Sequence, residues 1–186
     1  MSARPRVVLD ACVLFPTVMR EMLLGTAELG LYVPLWSGRI LEEWARATRR
    51  LGDGAENIAR GEIALMRAQF AGAEVAEDEA LAETLFLPDE NDRHVLATAI
   101  SGEAELLITK NLRDFPGRVL AGHGVLPLDP DRFLFDLHQE DADLAGVARK
   151  VRDRAEAASG RPQPVRALLK RAGLPRLGRA LELERE

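Results

Sequence analysis

Apolar residues along this chain fall into short continuous runs, separated by stretches at helical spacing. Val7-Val8-Leu9 is an unbroken apolar run before a turn, the pattern of a strand covered on both faces in a parallel sheet. Leu31–Trp36, Ala73–Val75, Glu105–Thr109 and Gly124–Leu128 read as four more short strands. Between the first two, Val18, Met22, Leu23, Ala27 and Leu29 follow Pro16 at near-helical spacing and stop at Gly30. Ser37 takes the N-cap of a helix running to about Leu51, with Ile40, Trp44, Ala47 and Leu51 as its buried stripe. Gly52-Asp53-Gly54 breaks the chain, and Ile58, Ile63, Leu65, Met66 and Phe70 mark another helix. Residues Leu85–Asp92 form a loop into a helix that turns Val95, Leu96, Ala99 and Ile100 inward and closes at Gly102. Asp129 caps a helix through Leu137.

Strands alternating with helices imply right-handed crossovers and a parallel sheet, an α/β domain over residues 1–138. Residues 139–186 carry only helical patterns: Leu144–Ala158, Pro164–Ala172 and Pro175 onward, broken at Ser159-Gly160-Arg161-Pro162. They read as a helical C-terminal extension whose leucines pack and whose charges face water.

Composition narrows the chemistry. With 186 residues, 47% hydrophobic and 30% charged, the chain is long enough to bury a core and is not a disordered tail. No apolar run approaches a membrane span, and the N-terminal stretch before Val7 is too short for a signal peptide, so a cytoplasmic protein is expected. The single cysteine, Cys12, excludes an internal disulfide and a cysteine-based zinc site, and three scattered histidines argue against a histidine-rich one. A bound metal would have to be carried by carboxylates. The net charge of −5 is uneven: residues 140–186 hold 11 Lys and Arg against 8 Asp and Glu, so the body is acidic and the tail basic. That argues against a protein that simply coats nucleic acid, whose whole domain is usually basic.

In open parallel sheets, sites form beyond the carboxyl ends of the strands. Acids recur there. Asp10 directly follows the first strand. Glu42 and Glu43 lie on the helix after the second; at about 100° per residue, Glu43 sits about 80° from the buried stripe and Glu42 nearly opposite it. Asp89 and Asp92 open the next helix, where Asp89 reads as the cap and Asp92 as the inward-facing acid. Asp114 closes the loop Thr109-Lys110-Asn111-Leu112-Arg113-Asp114 after the fourth strand. Each acid alone reads equally as a turn, a cap or a solvated charge. Together, converging carboxylates would repel unless a hard cation sat among them, and an all-oxygen donor set suits Mg²⁺ or Mn²⁺. Such an ion activates water and binds phosphodiester oxygens, so metal-dependent phosphodiester hydrolysis is the implied chemistry.

Four ordered segments resemble the PIN domain, the nuclease fold of the VapC toxins of bacterial toxin–antitoxin pairs. They are Val7-Val8-Leu9-Asp10-Ala11-Cys12, Trp36-Ser37 with Ile40-Leu41-Glu42-Glu43-Trp44, Pro88-Asp89-Glu90-Asn91-Asp92-Arg93-His94-Val95-Leu96-Ala97, and Leu107-Ile108-Thr109-Lys110-Asn111-Leu112-Arg113-Asp114-Phe115. The resemblance implies a three-layer α/β/α sandwich with a central parallel sheet. It also implies a Mg²⁺-dependent endoribonuclease, an RNA substrate, a cognate antitoxin and a homodimer. It maps the family's acids onto Asp10, Glu43 and Asp92, as catalytic residues and metal ligands. Many relatives carry a fourth acid where Asn111 stands here, so Asp114 takes that role, with Thr109 and Asn111 in support. Cys12 holds a place that is often a hydroxyl or amide residue. Arg93, Lys110 and Arg113, adjacent to these acids, are candidates for RNA backbone contact, which positions without reading sequence. Two readings compete: an RNA-processing nuclease outside toxin–antitoxin pairs, and a non-catalytic module of the same fold, kept open by Asn111. A haloacid-dehalogenase-type phosphatase lacks the second Asp, since position 12 is cysteine. A Rossmann oxidoreductase lacks its glycine-rich turn after the first strand.

Overall fold

The computed structural model describes residues 4–140 and 143–183. The strands are β1 (Arg6–Leu9), β2 (Val33–Ser37), β3 (Glu74–Val75), β4 (Leu106–Ile108) and β5 (Leu126–Leu128). The helices are α1 (Ala11–Leu14), α2 (Thr17–Glu28), α3 (Gly38–Ala47), α4 (Ala55–Gln69), α5 (Glu79–Thr84), α6 (Arg93–Ser101), α7 (Gly117–Ala121), α8 (Pro130–Gln139), α9 (Leu144–Ser159), α10 (Val165–Arg171) and α11 (Pro175–Leu183). The chain resolves into two compact units, one of Met1–Phe15 and Tyr32–Leu128, the other of Pro16–Leu31 and Asp129–Glu186.

The first unit is built on a five-stranded parallel sheet in the order β3-β2-β1-β4-β5. All five strands expected from the apolar runs are present: β1 gains Arg6, β2 is shifted to end at Ser37, and β3, β4 and β5 are shorter than expected. The central pair explains its own sequence: Val7, Val8, Leu9, Leu107 and Ile108 are fully buried, as a strand sandwiched between helices requires. α6 packs on β1, β2 and β4, while α3 packs on β2 and carries α4. The parallel sheet with flanking helices is the α/β/α architecture the sequence implies.

Ser37 caps α3 by accepting from Ile40 N at 3.3 Å. Burying Ile40, Leu41, Trp44 and Ala45 then fixes the helix's rotation. At Gly102 a Cβ would meet Thr98 O at 2.9 Å and the side chains of Leu35 and Val75 at 3.0 Å, so the end of α6 needs a residue without one. Its own φ of −83° is ordinary, and the left-handed turn falls on Glu103 instead, at φ 51°.

The structure corrects several details of the pattern. α3 ends at Ala47 and passes into a 3-10 turn over Thr48–Leu51, which rotates Leu51 out to 66% exposure. Ile58 and Leu65 also face outward, and only Ala59, Ile63 and Met66 of α4 are buried. α1 and α5 were not expected. α1 is a single turn, and α5 buries no side chain, so neither leaves an apolar period to read.

The second unit joins α2 to the C-terminal helices. α2 packs against α8, α9 and α10, and α11 against α8 and α10. Asp129 caps α8 as expected, accepting from Asp131 N and Arg132 N. Asp131, only 4% exposed, accepts from Arg176 N and Leu177 N at the start of α11. Leu168, Leu169 and Leu174 are buried, in keeping with a packed helical extension. Among the described residues no helix is long and apolar enough to cross a membrane.

Candidate active site

From β1 the chain continues to β2 and β3 on one side of the sheet, while β4 and β5 lie on the other. The carboxyl ends of β1 and β4 flank this switch in direction, where open parallel sheets leave a crevice. The register aligns Leu9 with Ile108, and Asp10 N donates to Ile108 O at 3.1 Å. The next residue on each strand therefore arrives at the same place. Thr109 Oγ1 donates to Asp10 Oδ2 at 2.7 Å, with Thr109 fully buried and Asp10 only 8% exposed.

Cys12 belongs to this arrangement rather than to simple packing. Its Sγ donates to Asp10 Oδ2 at 3.1 Å, lies 3.4 Å from Thr109 Oγ1 and accepts from Lys110 N at 3.2 Å. Burial and the Asp10 charge push the thiol up to about 12, so it acts as a neutral donor to the carboxylate. Asn111 N donates to Thr109 Oγ1 at 3.0 Å, and Asn111 Nδ2 holds Asp114 Oδ2 at 2.6 Å.

The other two acids come from helices. Glu43 faces Arg39 Nε at 3.4 Å and His94 Nε2 at 2.8 Å. Glu42 points away, into an exposed network with Arg46 and Arg60 that holds it down to about 2. The two neighbours differ in their partners rather than in burial, with side-chain exposures of 41% for Glu43 and 34% for Glu42. Asp89 accepts from Asn91 N and Nδ2, as a cap should, leaving Asp92 at the mouth of α6.

Asp92 ties the cluster together. Its Oδ2 is buried and makes no hydrogen bond. Its carboxyl is raised to about 6, first by desolvation and then by the charges of Asp10, Asp89, Asp114 and Glu43. Thus all three other expected acids lie close enough to oppose its ionisation. Among the described residues, however, no three His, Cys, Asp or Glu side chains close on one point as a finished ligand cage. Carboxylates without a counter-ion favour separation. A buried carboxylate oxygen without a hydrogen bond, on an acid that other carboxylates oppose, offers the oxygen donors that suit a hard divalent cation.

Of the expected RNA contacts, Lys110 and Arg113 are exposed. Arg93 is half-buried, and its Nη2 meets Glu90 Oε1 at 2.8 Å. One residue was missed. His94 is 7% exposed, and despite the approach to Glu43 neither ring nitrogen makes an aligned hydrogen bond. A polar residue directly after Asp92-Arg93 at the start of an otherwise apolar helix was the available signal.

Thr109→Val keeps the shape of the side chain and removes its hydroxyl. If Asp10 is a working ligand, losing the donor that orients it should lower activity by about 10–100-fold while the fold survives, as steady-state cleavage and circular dichroism would show. Undiminished cleavage by the valine variant would take Thr109 out of the site.

Comparison with known proteins bears on the fold and the family. Over 45 residues the chain is 47% identical to a protein of Mycobacterium tuberculosis (strain ATCC 25618 / H37Rv) named "Putative ribonuclease VapC50". That segment is 24% of this chain and 27% of the relative, so the chain spans little more than a quarter of that protein. No solved structure matches. Residues 6–113 match the PIN domain. This covers more than half of the chain, from β1 through the loop after β4, and the chain belongs to the PIN domain family.

Proposed function

We propose that this protein is a Mg²⁺- or Mn²⁺-dependent endoribonuclease, with Asp10, Glu43, Asp92 and Asp114 as its metal-binding and catalytic carboxylates. The observation that carries the reading is Asp92: a buried carboxylate oxygen without a hydrogen bond, on an acid opposed by Asp10, Asp89, Asp114 and Glu43. A fold does not retain such a repulsive group for stability. Membership of the PIN domain family and the partial likeness to a ribonuclease support the reaction class.

A bound divalent ion would supply a lowered-pKa water and charge neutralisation at the phosphate. The chain's own residues do the rest. Asp10, fixed by Thr109 and Cys12, presents one ordered carboxylate. Asn111 donates to Asp114, and this reading gives the amide and the acid together the role that many relatives give to one acid. In this reading Lys110 and Arg113, exposed on the loop after β4, are the cations for substrate phosphates, with Arg93 at the start of α6 as a third.

Within this reading, the toxin of a type II toxin–antitoxin pair is the narrower role, with a cognate antitoxin, an RNA substrate and a homodimer as its partners, in the cytoplasm. Its support is the VapC name of the partial relative. An RNA-processing role outside such pairs is the alternative. Co-expression with the protein encoded by a small neighbouring gene separates the two: relief of growth arrest favours the toxin, and no arrest in its absence favours processing.

The test of the reaction itself is cleavage of RNA with Mg²⁺ or Mn²⁺, with chelator, and by Asp10→Asn. Activity should vanish with chelator and drop by a hundredfold or more, on the order expected for losing a principal electrostatic group, in the variant. Cleavage that survives both would refute the proposal.

A further inference from the structure

A cleft of about 320 Å³ opens beside the carboxylates, at the lower end of the range of about 300–1,000 Å³ for small-molecule sites. Its lining includes Arg39, Arg93 and His94 and, from α5, Glu79 and Glu83. It adjoins the candidate site: Arg39 and His94 both approach Glu43, while Arg93 and His94 directly follow Asp92.

Two observations show that the lining is unfinished. His94 is more than nine-tenths buried, with Nε2 facing Glu43 at 2.8 Å and Nδ1 without a hydrogen bond, and Arg93 Nε is buried without a partner. Buried donors of this kind normally find acceptors. In the same lining, Glu79 and Glu83 sit one turn apart on the same face of α5, and neither makes an ion pair among the described residues. This is a like-charge pair that mildly destabilises its helix. α5 buries no side chain, so core packing does not account for its sequence.

Resting on the ribonuclease reading, we propose that this cleft is a base-recognition subsite that seats one guanine of the RNA next to the scissile phosphate. The donor and acceptor pattern selects the base. A carboxylate accepts two parallel hydrogen bonds from guanine N1–H and its 2-amino group. Adenine and cytosine place a ring nitrogen acceptor beside their amino group, which the carboxylate repels, and uracil offers one donor between two carbonyls. On guanine's other edge, O6 and N7 are acceptors, suited to the donors of Arg93 and His94. A phosphate is the wrong occupant, because the α5 acids oppose it. The exposed Lys110 and Arg113 are the phosphate partners instead.

The test is a nuclear magnetic resonance titration of the full chain in chelator with guanosine, inosine, adenosine and cytidine, together with cleavage of short RNAs that differ in the bases flanking one bond. Guanosine should bind saturably, shift resonances of Arg93 and His94, and outbind inosine, which lacks the 2-amino group, by roughly tenfold. Glu83→Gln or Glu79→Gln should erase that difference and relax a guanine preference in cleavage. Equal binding of guanosine and inosine, or a preference untouched by either variant, overturns the subsite. So does saturable binding of free arginine without guanosine, which would assign the cleft to a cationic side chain of a partner. Guanosine selectivity in a protein that cuts no RNA would refute the nuclease reading and leave the base site standing.

Discussion

Replacing Asp92 by asparagine is expected to make the metal-free protein more stable while abolishing its ribonuclease activity. The carboxyl is raised from 3.8 to about 6 in the folded chain, chiefly by desolvation, then by Asp10, Asp89, Asp114 and Glu43. An acid raised on folding binds its proton more tightly in the native state than in the unfolded chain. Native Asp92 is therefore protonated between about pH 4 and 6 where unfolded Asp92 is not, and stability falls as pH rises through that window. Below it no penalty exists; above it the penalty is complete. The shift converts at most to about 3 kcal/mol, and solvent around this half-exposed group cuts that to about 1 kcal/mol. Asparagine removes the charge at nearly the same volume. Thermal melts in chelator should place the variant about 2–4 °C above the parent at pH 7.5, and level with it near pH 4. Loss of the same carboxylate should cost activity by a hundredfold or more. A variant less stable than its parent at pH 7.5 would show that Asp92 is satisfied in the fold, contrary to its orphaned oxygen.

Trp44→Ala should produce the largest loss of stability of any single change in α3. Trp44 is 1% exposed and is among the largest fully buried side chains. With Ile40, Leu41 and Ala45 it anchors the helix that presents Glu43. Truncating a buried tryptophan costs about 3–5 kcal/mol, a substantial share of the roughly 5–15 kcal/mol that holds a domain folded. Urea unfolding should show the midpoint falling accordingly, and activity should decline at temperatures where the variant is still folded, because the anchor beside Glu43 is gone. Trp44→Phe, which keeps most of the volume, should recover much of both. A loss below about 1 kcal/mol for alanine would mean that α3 is not held by this contact.

Much of the sheet was legible because buried parallel strands write themselves as apolar runs. Val7-Val8-Leu9 and Leu107-Ile108 are fully buried. The convergence of Asp10 with Thr109 then follows from topology, since parallel neighbours β1 and β4 end together. Helical rotation about Ile40 and Trp44 gives Glu43 and Glu42 different partners, His94 and Arg39 for one and Arg46 and Arg60 for the other, but not the difference in burial that the stripe implies. What the sequence hid has physical reasons. Leu51, Ile58 and Leu65 are apolar yet exposed, and exposure of single apolar residues carries no pattern. α5 forms with no buried face, and α2 groups with helices more than a hundred residues later in the chain, through contacts that local periodicity does not encode. The role of Cys12 is hidden in the sequence because the thiol's hydrogen bond from Lys110 depends on a strand pairing nearly a hundred residues distant. His94 sat unread inside the Asp92 motif, since only the position of Glu43 on α3 gives it a neighbour.

Titration of the full chain with Mn²⁺ at pH 7.5, followed by calorimetry or electron paramagnetic resonance, tests most directly whether these distant acids share one ion. The parent should bind divalent metal saturably, Mg²⁺ should compete for the same place, and Asp10→Asn and Asp92→Asn should each abolish that binding while remaining folded. Identical isotherms for the parent and both variants would contradict a common carboxylate site.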